Sequence, residues 1–290
     1  MIYLRNEVTP LSNKVYKLLF LLFLGIFCLS AGVLLHYIIE SRETQQVYDQ
    51  LSQMVEEAKP QPTASEPEAT CETSGQDIQP PDTTHEAATT PTTPQEMPIL
   101  PEYLELYQIN PDLVGWIQIE GTAINYPVVQ RKDHRDYYLR RDFYGTPRTC
   151  GCLYVREACD VEAPSDNITI YGHMMSDGTM FADLINYRSK AFWETHQYIR
   201  FDTLRLRGTY QIVCVLKTSG TAGKGFAYHL FVDAEKPEDY EAFWQGCREY
   251  ALYDTGLTIQ PGDKLISLST CDYSITNGRM VVVAKRVLSN

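Results

Sequence analysis

Leu265-Ile266-Ser267-Leu268-Ser269-Thr270-Cys271 and, a few residues on, Arg279-Met280-Val281-Val282-Val283-Ala284-Lys285 are two runs of strand-forming residues. Between them Asn277-Gly278 is a hairpin signal, so Cys271 should close one strand and Arg279 open the next. A thiol and a guanidinium are then held across one turn. The thiolate is the reactive form of cysteine, and a permanently charged arginine nearby favours that form or a developing oxyanion. Taken alone, the same residues also fit a small apolar cysteine at a strand end and a surface arginine.

A second β-rich run, Asn167-Ile168-Thr169-Ile170-Tyr171, is broken by Gly172 just before His173 and leads into Asp177-Gly178-Thr179-Met180-Phe181. Together with Tyr171-Gly172-His173, Leu268-Ser269-Thr270-Cys271 and Arg279, these segments resemble the class B sortases, membrane-anchored cysteine transpeptidases of Gram-positive surfaces. Earlier matches cover 110–117, 124–130, Asp136-Tyr137-Tyr138-Leu139 and Asp142-Phe143-Tyr144-Gly145, so the likeness spans roughly Tyr103 onward in the family's order.

Residues 18–39 form an apolar run with His36 as the strongly polar interruption. At about 1.5 Å per residue it reaches across a hydrocarbon core of about 30 Å. Arg5, Lys14 and Lys17 precede it and Glu40 and Glu43 follow, which predicts residues 1–17 in the cytoplasm and the remainder outside. A cleaved signal peptide ending near Ser30-Ala31-Gly32 is the rival, but the apolar run continues past that site. An uncleaved anchor is therefore the expectation.

Residues 40–99 read as an extracellular tether. Its first part, 41–59, carries Val47, Leu51, Met54, Val55 and Ala58 at near-helical spacing and fits a short amphipathic helix or a solvated stalk. From 60 to 98 the chain is dense in Pro, Thr, Glu, Ser and Gln, too poor in apolar side chains to offset the entropy of ordering. Most of the formal net charge of -12 lies in 41–98, so the acidity says little about the partners of the folded part. No basic stripe with interleaved aromatics suggests a nucleic-acid site.

The catalytic unit is expected over 100–290. A helix with Pro at its first turn should cover 101–109. Short β-type runs follow at 114–119, 124–129, 152–155, 168–171, 198–202, 210–217, 264–269 and 280–287. Scattered short strands of this kind predict a closed or nearly closed antiparallel barrel, a mainly β fold. The resemblance implies the same, an eight-stranded sortase barrel with an N-terminal helical extension. Helical insertions are expected at 180–187, 189–196 and 237–252, the last in the long connection before the Cys271 strand, where the family's recognition loop lies.

The chemistry of peptide transfer suits these residues. A cysteine stores the acyl group as a thioester until an amine arrives, and the resemblance implies that Cys271 does so, with His173 as general acid and then base. For an unperturbed thiol and imidazole the thiolate–imidazolium pair is only about 1% populated at pH 7, so such a site is slow unless shifted. Arg279 is the expected stabiliser of the oxyanion, with the Asp272 backbone N–H as an implied second donor and the Asp272 side chain as an orienting candidate. Ser269, on the same strand face as Cys271, and its neighbour Thr270 are candidate substrate-binding residues.

No metal or organic cofactor is required. Cys150, Cys152 and Cys159 cluster in sequence, but no second cysteine pair follows at zinc spacing, and a disulfide within the cluster is the alternative. Cys214 and Cys247 read as core thiols. His36, His85, His134, His196 and His229 read as surface or packing residues. The expected partners are secreted proteins bearing an Asn- or Ser-Pro-x-Thr-type sorting signal, and a peptidoglycan precursor amine. A surface cysteine hydrolase, a pilin-polymerising enzyme and a non-catalytic wall-binding module are the alternatives.

Overall fold

A computed structural model describes residues 13–60, 97–221 and 223–287. Much of the expected tether, with His85 and Cys71, lies outside the described residues.

Helix α1 runs without a break from Asn13–Ala58. Its first half is exposed and apolar, and the helix is long and apolar enough to cross a membrane. Past Glu40 its character changes. Thr44, Tyr48, Leu51 and Val55 recur at helical spacing and are buried against the barrel, with Val47 and Met54 half-buried beside them. Tyr48 Oη donates to the Gly151 carbonyl at 2.8 Å, and Asn125 Nδ2 to Ser52 Oγ at 2.7 Å. The amphipathic reading of 41–59 is therefore the one observed, although Ala58 is exposed. Residues 44–55, expected within the tether, thus pack on the barrel through these side chains. The apolar face needed a partner, and the barrel provides it.

Helix α2, Pro101–Ile109, starts on its proline and buries Tyr103 and Leu106. Eight strands follow: β1 Leu113–Gln118, β2 Asn125–Val129, β3 Leu153–Val155, β4 Asn167–Tyr171, β5 Tyr198–Thr203, β6 Thr209–Ser219, β7 Leu265–Asp272 and β8 Gly278–Val287. They close into a barrel in the order β1-β2-β3-β4-β7-β8-β6-β5. Each matches an expected strand. The expected all-antiparallel pairing does not hold, because β2 and β3 are parallel, as are β4 and β7. Both parallel pairs are joined by long crossovers, which is what parallel pairing requires.

Period-2 alternation sorts the strand residues into two cores. Ile168, Ile170, Ile266, Leu268, Met280 and Val282 fill the barrel. Cys214, Leu265, Val281 and Val283 face outward and are covered by helix α4, Pro237–Glu249, through Tyr240, Phe243, Trp244 and Cys247. This helix lies in the β6–β7 connection as expected and starts on Pro237, with Asp239 accepting from the Lys236 N–H at 3.1 Å. The 180–196 insertion is shorter in regular helix than expected. It is a 3-10 segment, Ala182–Arg188, followed by helix α3, Lys190–Thr195.

Candidate active site

Three adjacent strands, β4, β7 and β8, carry the site. Tyr171 is paired with Ser269 and Cys271 with Arg279, and the Gly172 N–H continues the ladder to the Ser269 carbonyl at 3.1 Å. His173 follows two residues past the end of that register, on the β4 side of Cys271, and Arg279 is paired with Cys271 on the other side. Neighbouring strands are about 4.8 Å apart, so the three backbones cross the sheet end within about two spacings. Alternation fixes the face. Ile170, Leu268 and Met280 point into the barrel, so Tyr171, Ser269 and Cys271, together with Arg279, point outward. His173, Cys271 and Arg279 line one groove, walled by Tyr228 and His229 from the β6–β7 connection.

Local sequence explains why each group sits there. A Cβ on Gly172 would fall 2.4 Å from Leu153 Cδ2 and 2.6 Å from Phe181 Cδ2, so only glycine lets the chain turn out of β4 at this point. His173 Nε2 donates to the Leu139 carbonyl at 2.7 Å, from the 3-10 turn Tyr137–Arg140. That bond orients the ring and leaves Nδ1 for other work. The next loop is closed by the Phe181 N–H on the His173 carbonyl and by Asp177, which accepts from the Thr179 N–H and hydroxyl. Burial opposes ionisation of Asp177, but hydrogen bonds from Ser41 and Thr179 outweigh it and hold the carboxyl below its usual range.

Among the described residues, every hydrogen bond that Arg279 makes through its side chain comes from one terminal nitrogen, to the Asn277 carbonyl and side chain and to the Gly278 carbonyl. Gly220 leaves room for the group, since a Cβ there would stand 3.1 Å from its Cζ. Ser269 is buried on the groove floor and shares a 2.6 Å hydrogen bond with Tyr228 Oη.

Two expected site residues are placed otherwise. The Asp272 side chain points to the opposite face from Cys271. It is fully buried, bonded to Arg188 at 2.7 Å and to the Ser274 N–H and hydroxyl, with Lys217 at 3.7 Å. Burial raises its pKa, but the Ser274 and Arg188 bonds reverse this and bring it to about 2. These partners pin the β7–β8 turn, and among the described residues no hydrogen bond joins the Asp272 carboxylate to His173. Thr270 belongs to the groove wall, yet alternation aims its side chain inward, where its buried hydroxyl has no hydrogen-bond partner among the described residues.

The other cysteines are built differently. Cys150 and Cys152 lie buried under α1, Cys150 Sγ 3.8 Å from Thr44 Oγ1, and burial pushes their thiols to about 11 and about 12. They pack the seat of the helix. Cys214 on β6 and Cys247 on α4 are buried together between strand and helix, as expected. His196 stacks on Phe192 at 4.0 Å, a packing role, whereas His229 is a wall of the groove, which a surface or packing reading did not foresee. Sequence reasoning also missed Leu139, which acts through its carbonyl, and Tyr228, which carries no motif of its own.

Comparison with known proteins agrees with this architecture. Residues 117–287 match the Sortase domain family. The chain is 33% identical over 189 residues to sortase B of Staphylococcus aureus, covering 64% of this chain and 75% of the relative. It is 32% identical to sortase B of Listeria monocytogenes, over 64% of this chain and 74% of the relative. A Staphylococcus aureus sortase B–substrate complex superposes with a TM-score of 0.67 at 26% identity, covering 87% of this chain and all of that one. With its closed barrel, its helix-bearing β6–β7 connection and these relatives, the chain belongs to the sortase family, cysteine transpeptidases, and is of class B type.

Proposed function

We propose that Cys271 is the nucleophile of a transfer reaction in which a secreted protein is cut at a C-terminal sorting motif of the Asn- or Ser-Pro-x-Thr type and joined to a peptidoglycan amine. The Cys271 thiol gives its proton to His173, and its sulfur attacks the threonine carbonyl carbon. The amide C–N bond breaks, a thioester forms, and the leaving amine takes a proton from His173. The acceptor amine then attacks the thioester, giving its proton back through His173, and the thiol is released. With Nε2 held by Leu139, Nδ1 is the nitrogen that moves the proton. Arg279 stabilises the oxyanion, because its charge is permanent and its other N–H groups are unengaged among the described residues. Ser269 and Tyr228 line the peptide's path.

The observation that carries this reading is that His173, Cys271 and Arg279 line one groove at the end of three adjacent strands. In this scheme residues 18–39 anchor the chain with its N-terminus inside and its barrel outside. The test is mass spectrometry of the enzyme with a sorting peptide, with and without triglycine. An acyl adduct on Cys271 that triglycine converts to a peptide–triglycine product is the expected result. Hydrolysed peptide with no amine product at any triglycine concentration would make the protein a hydrolase.

A further inference from the structure

Helix α1 does more than connect the membrane to the barrel. Residues 18–39 make up about 33 Å of helix, close to the hydrocarbon thickness, so Ile39 and Glu40 mark its edge. Contacts to the barrel begin within one helical turn of that level. Tyr37 Oη is 2.5 Å from Ser176 Oγ, Ser41 Oγ donates to Asp177 at 2.6 Å, the Thr149 N–H donates to Glu40 at 2.9 Å, and Arg148 binds Glu43 at 2.7 Å. Positions 37 to 43 cover about 9 Å of helix rise. The headgroup layer is about 5 to 7 Å deep on each side. Two barrel loops, 140–149 and 174–178, are thus pinned at headgroup height by an unbroken helix.

The composition of that rim suits the layer. Tyr144 is exposed, and tyrosine is enriched at membrane interfaces. The Glu40 and Glu43 carboxylates are already held by Thr149 and Arg148, the former keeping Glu40 below its usual pKa. Arg140 is exposed and has no carboxylate partner among the described residues, and it lines a recess with His36, Ile39, Arg148 and the two engaged carboxylates.

We propose that this rim rests in the headgroup layer of the bilayer that α1 crosses, with Arg140 on lipid phosphate and Tyr144 in the interfacial zone. The inference rests on the reading of residues 18–39 as a membrane span. Because Leu139, the residue that holds His173, adjoins Arg140, the histidine end of the groove then sits at the membrane surface, within reach of reactants held in the same bilayer.

The test uses the full chain in lipid nanodiscs, with Tyr144→Trp as probe, since Trp116, Trp193 and Trp244 are buried. Lipids carrying a headgroup nitroxide should quench this variant at least twofold more than the parent chain. Arg140→Glu added to the probe, or a flexible Gly-Ser insert after Ile39, should reduce that quenching by half or more, while transfer to soluble triglycine stays within about twofold. A disc-embedded Tyr144→Trp chain that is quenched no more than the parent overturns the docking and leaves the anchor intact. A chain that does not float with vesicles after an alkaline wash overturns both.

Discussion

Two thiol-bearing segments lie at strand ends and have different surroundings. Cys150 and Cys152 lead into β3 and are buried, Cys150 beneath α1 and Cys152 between α1 and the floor of the groove, and burial drives both thiols well above their ordinary pKa. Cys271 ends β7 on the outer face, half-buried in an open groove between a histidine and an arginine. The difference lies in what covers the strand end. Where a helix closes over it, the thiol becomes a packing group, and where the rim stays open, charge and water reach the sulfur.

The largest predicted effect breaks the comparison outright. Cys271→Ala should lower transfer to triglycine at least about 10³-fold, because the covalent intermediate disappears. Its melting temperature should stay near that of the parent. Cys152→Ala should do the reverse, keeping transfer within about threefold while losing roughly 1 to 3 kcal/mol from the seat of α1. Equal losses of activity in the two variants would erase the distinction.

Leu51→Ala attacks the covering itself. Leu51 is fully buried between α1 and the barrel, and truncation should cost about 2 to 5 kcal/mol of the packing there. Mass-mapped alkylation reads the consequence. In the parent, Cys271 should react first and Cys150 and Cys152 last, and in the variant the latter two should gain reactivity by an order of magnitude. Unchanged labelling would mean that α1 does not shield them.

Arg279→Lys keeps the charge but loses the planar fork. Transfer should fall by roughly 10²-fold in kcat/KM, the scale of losing one oxyanion donor. A lysine variant of full activity would leave only a diffuse electrostatic role for this position.

How much of this was legible in the sequence follows the same division. The eight strands and α2 were readable because β-branched runs and Pro101 act locally, and the β7–β8 hairpin because Asn277-Gly278 marks its turn, although the Cys271–Arg279 register comes from a five-residue loop, 273–277, that the pair only ends. The parallel pairing of β4 with β7, which brings His173 to Cys271, was not readable from spacing, since it depends on a crossover of some ninety residues. The resemblance implied that meeting where local pattern could not. The docking of residues 44–55 was half-legible: the stripe of Val47, Leu51 and Val55 signalled a helix, but its partner surface is assembled from distant segments. Leu139 was legible only as part of the Asp136-Tyr137-Tyr138-Leu139 segment, since a carbonyl's role is independent of its side chain.

Asp272 gives the finest distinction, since it adjoins Cys271 in sequence but faces the other way. Its carboxyl is at about 2 in the fold, below the ordinary aspartate value near 3.9, so the folded state favours the charged form. The stability it contributes is fully present above about pH 4 and is lost as pH falls toward about 2. Urea unfolding at pH 5 and at pH 2.5 should therefore show a smaller loss on acidification in Asp272→Asn than in the parent. Arg188→Ala should behave likewise, because it removes the guanidinium that Asp272 holds at 2.7 Å. Transfer by Asp272→Asn at neutral pH should stay within about threefold of the parent. A drop comparable to that of Arg279→Lys, with unfolding midpoints unchanged, would assign the carboxylate to the reaction instead of the turn.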